Sequence, residues 1–150
     1  MTEIERRLAT DLVAATRARA PELLVLRLLK SSLHNAKIAK QSKEELTNEE
    51  VMAVLRRELK RRQEAASMYK QGGREELATT EENEAAVIKK YLPATPELDE
   101  VRQVIARLKQ EQGLSGQQAI GPLTKATLAH FKGAVDGQTV SSLARELLSQ

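Results

Sequence analysis

Apolar residues along this 150-residue chain recur at helical intervals and nowhere alternate in the manner of a strand, so the pattern predicts an all-α protein. Thr2 and Glu5 have the spacing of a capping box, and Ile4, Leu8, Leu12 and Ala15 carry a first helix from there to about Arg17. Pro21 suits the first turn of a second helix, which runs to about Lys40. That helix is apolar over more than half its circumference through Leu24, Val25, Leu26, Leu28, Leu29, Leu33 and Ala36, and it is expected to be the most buried. Thr47 and Glu50 repeat the capping box before a long third helix that reaches Lys70 along a face of Val51, Met52, Val54, Leu55, Leu59, Ala66 and Tyr69. Gly72-Gly73 stops it, because glycine enters a left-handed cap at little cost. A fourth helix starts near Arg74, with Glu75 and Glu76 favoured by its dipole, and runs to Leu92 with Leu77, Ala85, Val87, Ile88, Tyr91 and Leu92 inward.

Two prolines in Pro93-Ala94-Thr95-Pro96 cannot continue a helix, and they mark residues 93–96 as a linker between an N-terminal domain, 1–92, and a C-terminal domain, 97–150. In the second domain Thr95 can cap a helix with Pro96 at its first position, carrying Leu98, Val101, Val104, Ile105 and Leu108 to about Gly113. A shorter helix spans about Gln117 to Lys132, with a break at Gly121-Pro122 as the alternative, and it turns Leu123, Leu128 and Phe131 inward. Gly133 closes it, and Asp136 caps a last helix bearing Val140, Leu143, Leu147 and Leu148.

Four charges fall on the apolar seam of the third and fourth helices. Setting those helices antiparallel about Gly72-Gly73 brings Arg62 level with residues 82 to 84, so Arg62 is expected to pair with Glu84 or Glu81, and Glu58, one turn away, to join them. Paired carboxylates could be an acid/base dyad or a metal site. With no nucleophile or phosphate-binding loop beside them, the preferred reading is a structural ion network that fixes helix register.

Composition narrows the function classes. Tyr69, Tyr91 and Phe131 are the only aromatics, which speaks against base-stacking recognition of single strands, and the core must be aliphatic. Without cysteine there can be no disulfide or thiolate site, and His34 and His130 lie too far apart in sequence to suggest a His-rich metal centre. No secretory leader or membrane-spanning run is written, so a cytoplasmic protein without membrane attachment, metal or small-molecule cofactor is expected. The net charge of +3 is uneven, with seven bases facing one acid, Glu22, between Arg17 and Lys43. Arg27, Lys30, His34 and Lys37 form one strip of the second helix, and Arg56, Arg57, Lys60 and Arg61 form the outer face of the third. Closely spaced cations of this kind can neutralise successive phosphates, although helices also wear them for solubility.

Several stretches resemble the GatB/YqeY family of helical proteins, in the family's order and spacing. They are Leu26-Arg27-Leu28-Leu29-Lys30, Leu46-Thr47-Asn48-Glu49-Glu50-Val51, Arg57-Glu58-Leu59-Lys60-Arg61-Arg62, Gly72-Gly73-Arg74-Glu75-Glu76-Leu77 and Tyr91-Leu92-Pro93. In the tail, Gly121 and then Lys132-Gly133-Ala134-Val135-Asp136-Gly137 resemble the family's glycine, lysine-glycine and aspartate-glycine pattern. The resemblance implies an N-terminal helical arm with a long antiparallel hairpin, and a small C-terminal three-helix bundle similar to the tail domain of the B subunit of glutamine-dependent tRNA amidotransferase. That tail contacts the tRNA body, whereas the enzyme's chemistry resides in a separate catalytic domain with no counterpart here. A label of carbon–nitrogen ligase with glutamine as amido donor would thus be inherited without a catalytic domain, and the reading leans away from an enzyme.

Lys125 matches a lysine of the amidotransferase tail, and Lys132 with Gly133 its lysine-glycine corner, while Ala134 departs from the basic residue common there. The RNA-contact candidates are Lys125, Lys132, Gly133, Arg27, Lys30, Lys37, Arg56 and Lys60. For Gly121, Gly133 and Gly137 turn geometry is preferred to ligand contact. The leading expectation is a noncatalytic tRNA-binding or amidotransferase-associated module. A protein-interaction scaffold is the alternative, and an enzyme component using Glu58, Glu81 and Glu84 ranks last. tRNA and other protein subunits are the candidate partners.

Overall fold

The computed structural model describes residues 1–132 and 134–149, and their regular structure is helical throughout. The helices are α1 (Glu3–Ala18), α2 (Leu23–Ala39), α3 (Asn48–Gln71), α4 (Glu75–Lys89), α5 (Leu98–Gln112), α6 (Ile120–His130) and α7 (Gly137–Leu148), with a 3-10 turn at Gln117–Ala119 before α6. Contacts divide the chain into two compact units, Met1–Pro93 and Ala94–Gln150.

Caps fix many of the ends. Thr2 with Glu5 and Thr47 with Glu50 form complete capping boxes at α1 and α3, each satisfying two otherwise orphaned N–H groups. After α3, Gly73 takes a φ of 72°, while Arg74 N–H reaches the Tyr69 carbonyl at 2.8 Å and Gly73 N–H that of Lys70 at 3.1 Å. This paired closure satisfies the last carbonyls and turns the chain directly into α4. Asp136 caps α7 by accepting from Thr139 N–H at 3.3 Å.

In unit 1, α1 to α4 enclose an aliphatic core around Leu26, Leu29, Met52, Leu55 and Ile88. Tyr91 closes one end by donating its hydroxyl to Asp11 of α1 at 2.5 Å, with the Arg7 guanidinium 5.3 Å from its ring centre. Burial, then the Asp11 carboxylate, push the Tyr91 phenol above its ordinary range. Unit 2 packs α5, α6 and α7 around Val101, Ile105, Leu123 and Val140, all fully buried. Thr127, also buried there, satisfies its hydroxyl on the Leu123 carbonyl at 2.7 Å.

Several expected details are corrected. The second helix is not the most buried: α3 has six buried residues to the four of α2, and Leu24 is 73% exposed. Its apolar run is wider than the one side on which α2 has neighbours. Pro21 precedes α2 instead of opening it, since Glu22 holds the cap position without a side-chain bond. α4 ends at Lys89; Tyr91 and Leu92 N–H bond to the carbonyls three residues earlier, a tightening that suits the approach to Pro93.

Leu77 faces solvent while Ala78 is fully buried, because α3 and α4 approach closely enough to favour the small side chain. Thr95 and Pro96 do not open α5. Glu97 is extended and its carbonyl accepts the first helical bond from Val101, which leaves Leu98 half exposed. α6 is unbroken at Gly121-Pro122, since a proline in the first turn lacks only an N–H that would have no helical partner. It ends at His130 instead of Lys132.

Candidate functional site

Glu58 on α3 is the buried acid among the described residues, at 5% exposure. One of its oxygens accepts from the Ser32 hydroxyl of α2 at 3.2 Å and from Arg61 Nη1 at 3.3 Å. Its other oxygen lies 3.9 Å from Arg62 Nη2. Arg62 also stands 3.7 Å from Glu81 and 3.1 Å from Glu84, both on α4, so one guanidinium is shared by three carboxylates from two helices. The 3.1 Å approach is off line for a hydrogen bond, leaving Arg62 Nε and Glu81 Oε2 buried with a charge contact only.

Arg62 occupies the ground between these carboxylates, and the Ser32 hydroxyl is already committed to Glu58. The cluster thus links side chains of α2, α3 and α4. Sequence reasoning missed Ser32 and Arg61. Arg61 was accessible as the i+3 neighbour of Glu58, whereas nothing in the sequence sets Ser32 opposite it.

The structure sorts the basic candidates by whether an acid neutralises them. Lys37 pairs with Glu45 and Lys40 with Glu50 at 2.9 Å, both acids beyond the cation-rich window. The Lys37 hydrogen bond holds the Glu45 carboxyl below its ordinary range, and Glu50 is lowered first by the Thr47 backbone N–H and then by Lys40. Lys60 has Glu64 3.9 Å away, and Arg56 is partly buried. Arg27, Lys30 and His34 are exposed along α2, and no ion pair engages them among the described residues.

In unit 2 the cations of α5 are engaged. Arg102 lies 3.0 Å from Asp99 and 3.7 Å from Glu146, and Arg107 lies 3.7 Å from Glu111. Arg107 also approaches the His130 ring nitrogen at 3.4 Å, and Lys109 donates to the Leu147 carbonyl at 3.2 Å. Lys125 and Lys132, by contrast, are exposed and enter no such pair among the described residues. The chain has no acid between Glu111 and Asp136, so α6 and its flanks present Lys125, His130 and Lys132 without local compensation.

Lys132 is held at a φ of 50°, a left-handed conformation that costs a non-glycine residue roughly 1–2 kcal/mol. Gly133 lies outside the described residues. Gly121 and Gly137 sit in the first turns of α6 and α7, and neither has a positive φ, so glycine's conformational freedom is not what those positions use. The cations of α2 and α3 belong to unit 1, and Lys125 and Lys132 to unit 2.

Among the described residues no three His, Asp or Glu side chains are grouped to hold a metal, and no helix is long and apolar enough to cross a membrane. No curated protein matches the chain. Residues 5–148 match the family model described as Yqey-like protein.

Proposed function

Since the chain belongs to the YqeY-like protein family, we propose that it is a noncatalytic helical module that docks tRNA through unit 2. The acid-free surface of α6, with exposed Lys125 and Lys132, carries this reading. Phosphate oxygens would replace water on these two ammonium groups and release condensed counterions, which favours binding without reading bases. The resemblance of this region to the amidotransferase tail supports tRNA as the nucleic acid and a cytoplasmic setting. Glutamine-dependent amide transfer, where the module associates with it, belongs to other subunits, and positioning is this chain's contribution.

A titration of labelled tRNA at low and near-physiological salt tests the proposal, comparing the wild type with Lys125→Ala/Lys132→Ala. Saturable binding should weaken with salt, and the double variant should lose affinity and flatten the logarithmic salt slope by roughly two. Absence of binding at low salt, or an unchanged slope in the variant, would refute it.

A further inference from the structure

α2 carries an outward face that neither the core nor the proposed RNA contact uses. Leu24 is 73% exposed and Ile38 is 62% exposed, and their separation of two heptads puts them on nearly the same side of the helix, about 21 Å apart. Both aliphatic side chains are free to be covered by a partner. Beside Leu24 a cavity of about 420 Å³ opens between α2 and α4. Pro21, Leu24, Val25 and Val87 form its apolar side, and Glu22, Thr80, Asn83 and Glu84 its polar side. It is large enough to take an apolar side chain from a partner.

The charged side chains that α2 itself brings to this face have one sign. α2 contains no Asp or Glu, and Arg27, Lys30 and His34 follow one flank of the Leu24–Ile38 line without an ion pair among the described residues. A nucleic acid would satisfy the cations but leave both aliphatics and the socket wet. A membrane surface would need a continuous apolar stripe, and Ser31 and Asn35 interrupt this one.

We propose that the outer face of α2 docks an acidic amphipathic helix of another protein. The partner's apolar ridge lies over Leu24 and Ile38 with one side chain in the socket, and its acidic flank runs along Arg27 and Lys30. Glu22, at the socket end, repels acids there and fixes which part of the partner's acidic flank lies over Arg27.

Fluorescence anisotropy with the full chain tests this, using a designed labelled helix that has leucines at i, i+3, i+7, i+10 and i+14, long enough to span Leu24 and Ile38, and glutamates on its flanks. A twin peptide with lysine at every glutamate is the control. The acidic helix should bind saturably and the basic twin at least roughly tenfold more weakly. Leu24→Asp/Ile38→Asp should abolish binding with an unchanged helical circular dichroism spectrum, because both side chains are exposed. Arg27→Glu/Lys30→Glu should invert the preference between the two peptides.

No binding of the acidic helix, equal binding of both peptides, or a preference that survives the charge reversal would overturn the proposal. A sedimentation dimer lost in Leu24→Asp/Ile38→Asp would assign the face to a second copy instead. Binding to phosphatidylserine vesicles that exceeds peptide binding and is lost in the same variant would assign it to a lipid surface.

Discussion

Replacing Arg62 by methionine keeps most of the buried stem and removes the charge that three carboxylates share. Contacts at 3.1, 3.7 and 3.9 Å each correspond to about 4–5 kcal/mol of gross attraction at an effective dielectric near 20. Most of that offsets the cost of bringing the charges out of water. Side-chain exposures of 7% for Glu58, 18% for Glu81 and 30% for Glu84 leave the cluster open on its α4 side, where water can rehydrate the stranded carboxylates. The expected loss is therefore about 2–4 kcal/mol, toward and below the low end of that for a fully dry pair.

Urea unfolding followed by tyrosine fluorescence isolates the effect, because Tyr69 and Tyr91 both lie in unit 1 while unit 2 has only Phe131. The midpoint should fall with an unchanged denaturant slope. Exchanging Glu58, Glu81 and Glu84 for leucine in the same background should restore stability to within about 1 kcal/mol of wild type, since an apolar cluster of similar volume avoids the desolvation cost. A single variant less than about 1 kcal/mol below wild type, or a fourfold variant less stable than the single one, would refute the account of a shared, poorly hydrated guanidinium.

Leu29, fully buried between the unit 1 helices, should lose about 2–5 kcal/mol on change to alanine, read from the same urea midpoint. Gly73→Ala should cost roughly 1–2 kcal/mol although there is open space around a Cβ, because its φ of 72° strains any side-chain-bearing residue. Glu45 and Glu50 titrate below their unfolded value of 4.5, so the stability they contribute is present above that pH and is lost as pH falls through their folded values. Lys37→Ala/Lys40→Ala should flatten the acid limb of a stability–pH curve. The raised Tyr91 phenol works in the opposite direction: its contribution is complete below its unfolded value of 10.0 and declines above it. In an ultraviolet titration Tyr91 should ionise at lower pH in Asp11→Ala than in wild type.

The helices were legible because capping boxes and 3.6-residue periodicity are local signals. Thr47 and Glu50 announce α3, and the glycine pair marks its end, without reference to any other part of the chain. Burial was less legible wherever it depends on which side of a helix finds a neighbour. Leu24 and Leu77 read as core residues by hydrophobicity, yet α2 and α4 turn them to solvent, and the small Ala78 takes the inner place. The same limit applies to the charges. Counting along α3 and α4 sets Arg62 level with residues 82 to 84, but the third partner of Glu58 comes from α2, whose rotation no pairwise count fixes. Neutralisation of Lys37 and Lys40 arises from a loop folding Glu45 and a helix start carrying Glu50 back onto α2. In unit 2, by contrast, the long interval without an acid is plain in the sequence.

The hydrogen bond between Tyr91 and Asp11 joins residues 80 positions apart, whereas α3 and α4 meet across a turn of a few residues. Low sequence separation makes the α3–α4 pair the cheapest part of unit 1 to assemble, and the Tyr91 latch the last. During synthesis α1 and α2 leave the ribosome first, yet their inner faces gain their full cover only when α3, α4 and then Tyr91 have emerged. Until then α1 and α2 can cover only each other, so unit 1 is completed when Tyr91, at its C-terminal end, closes onto α1.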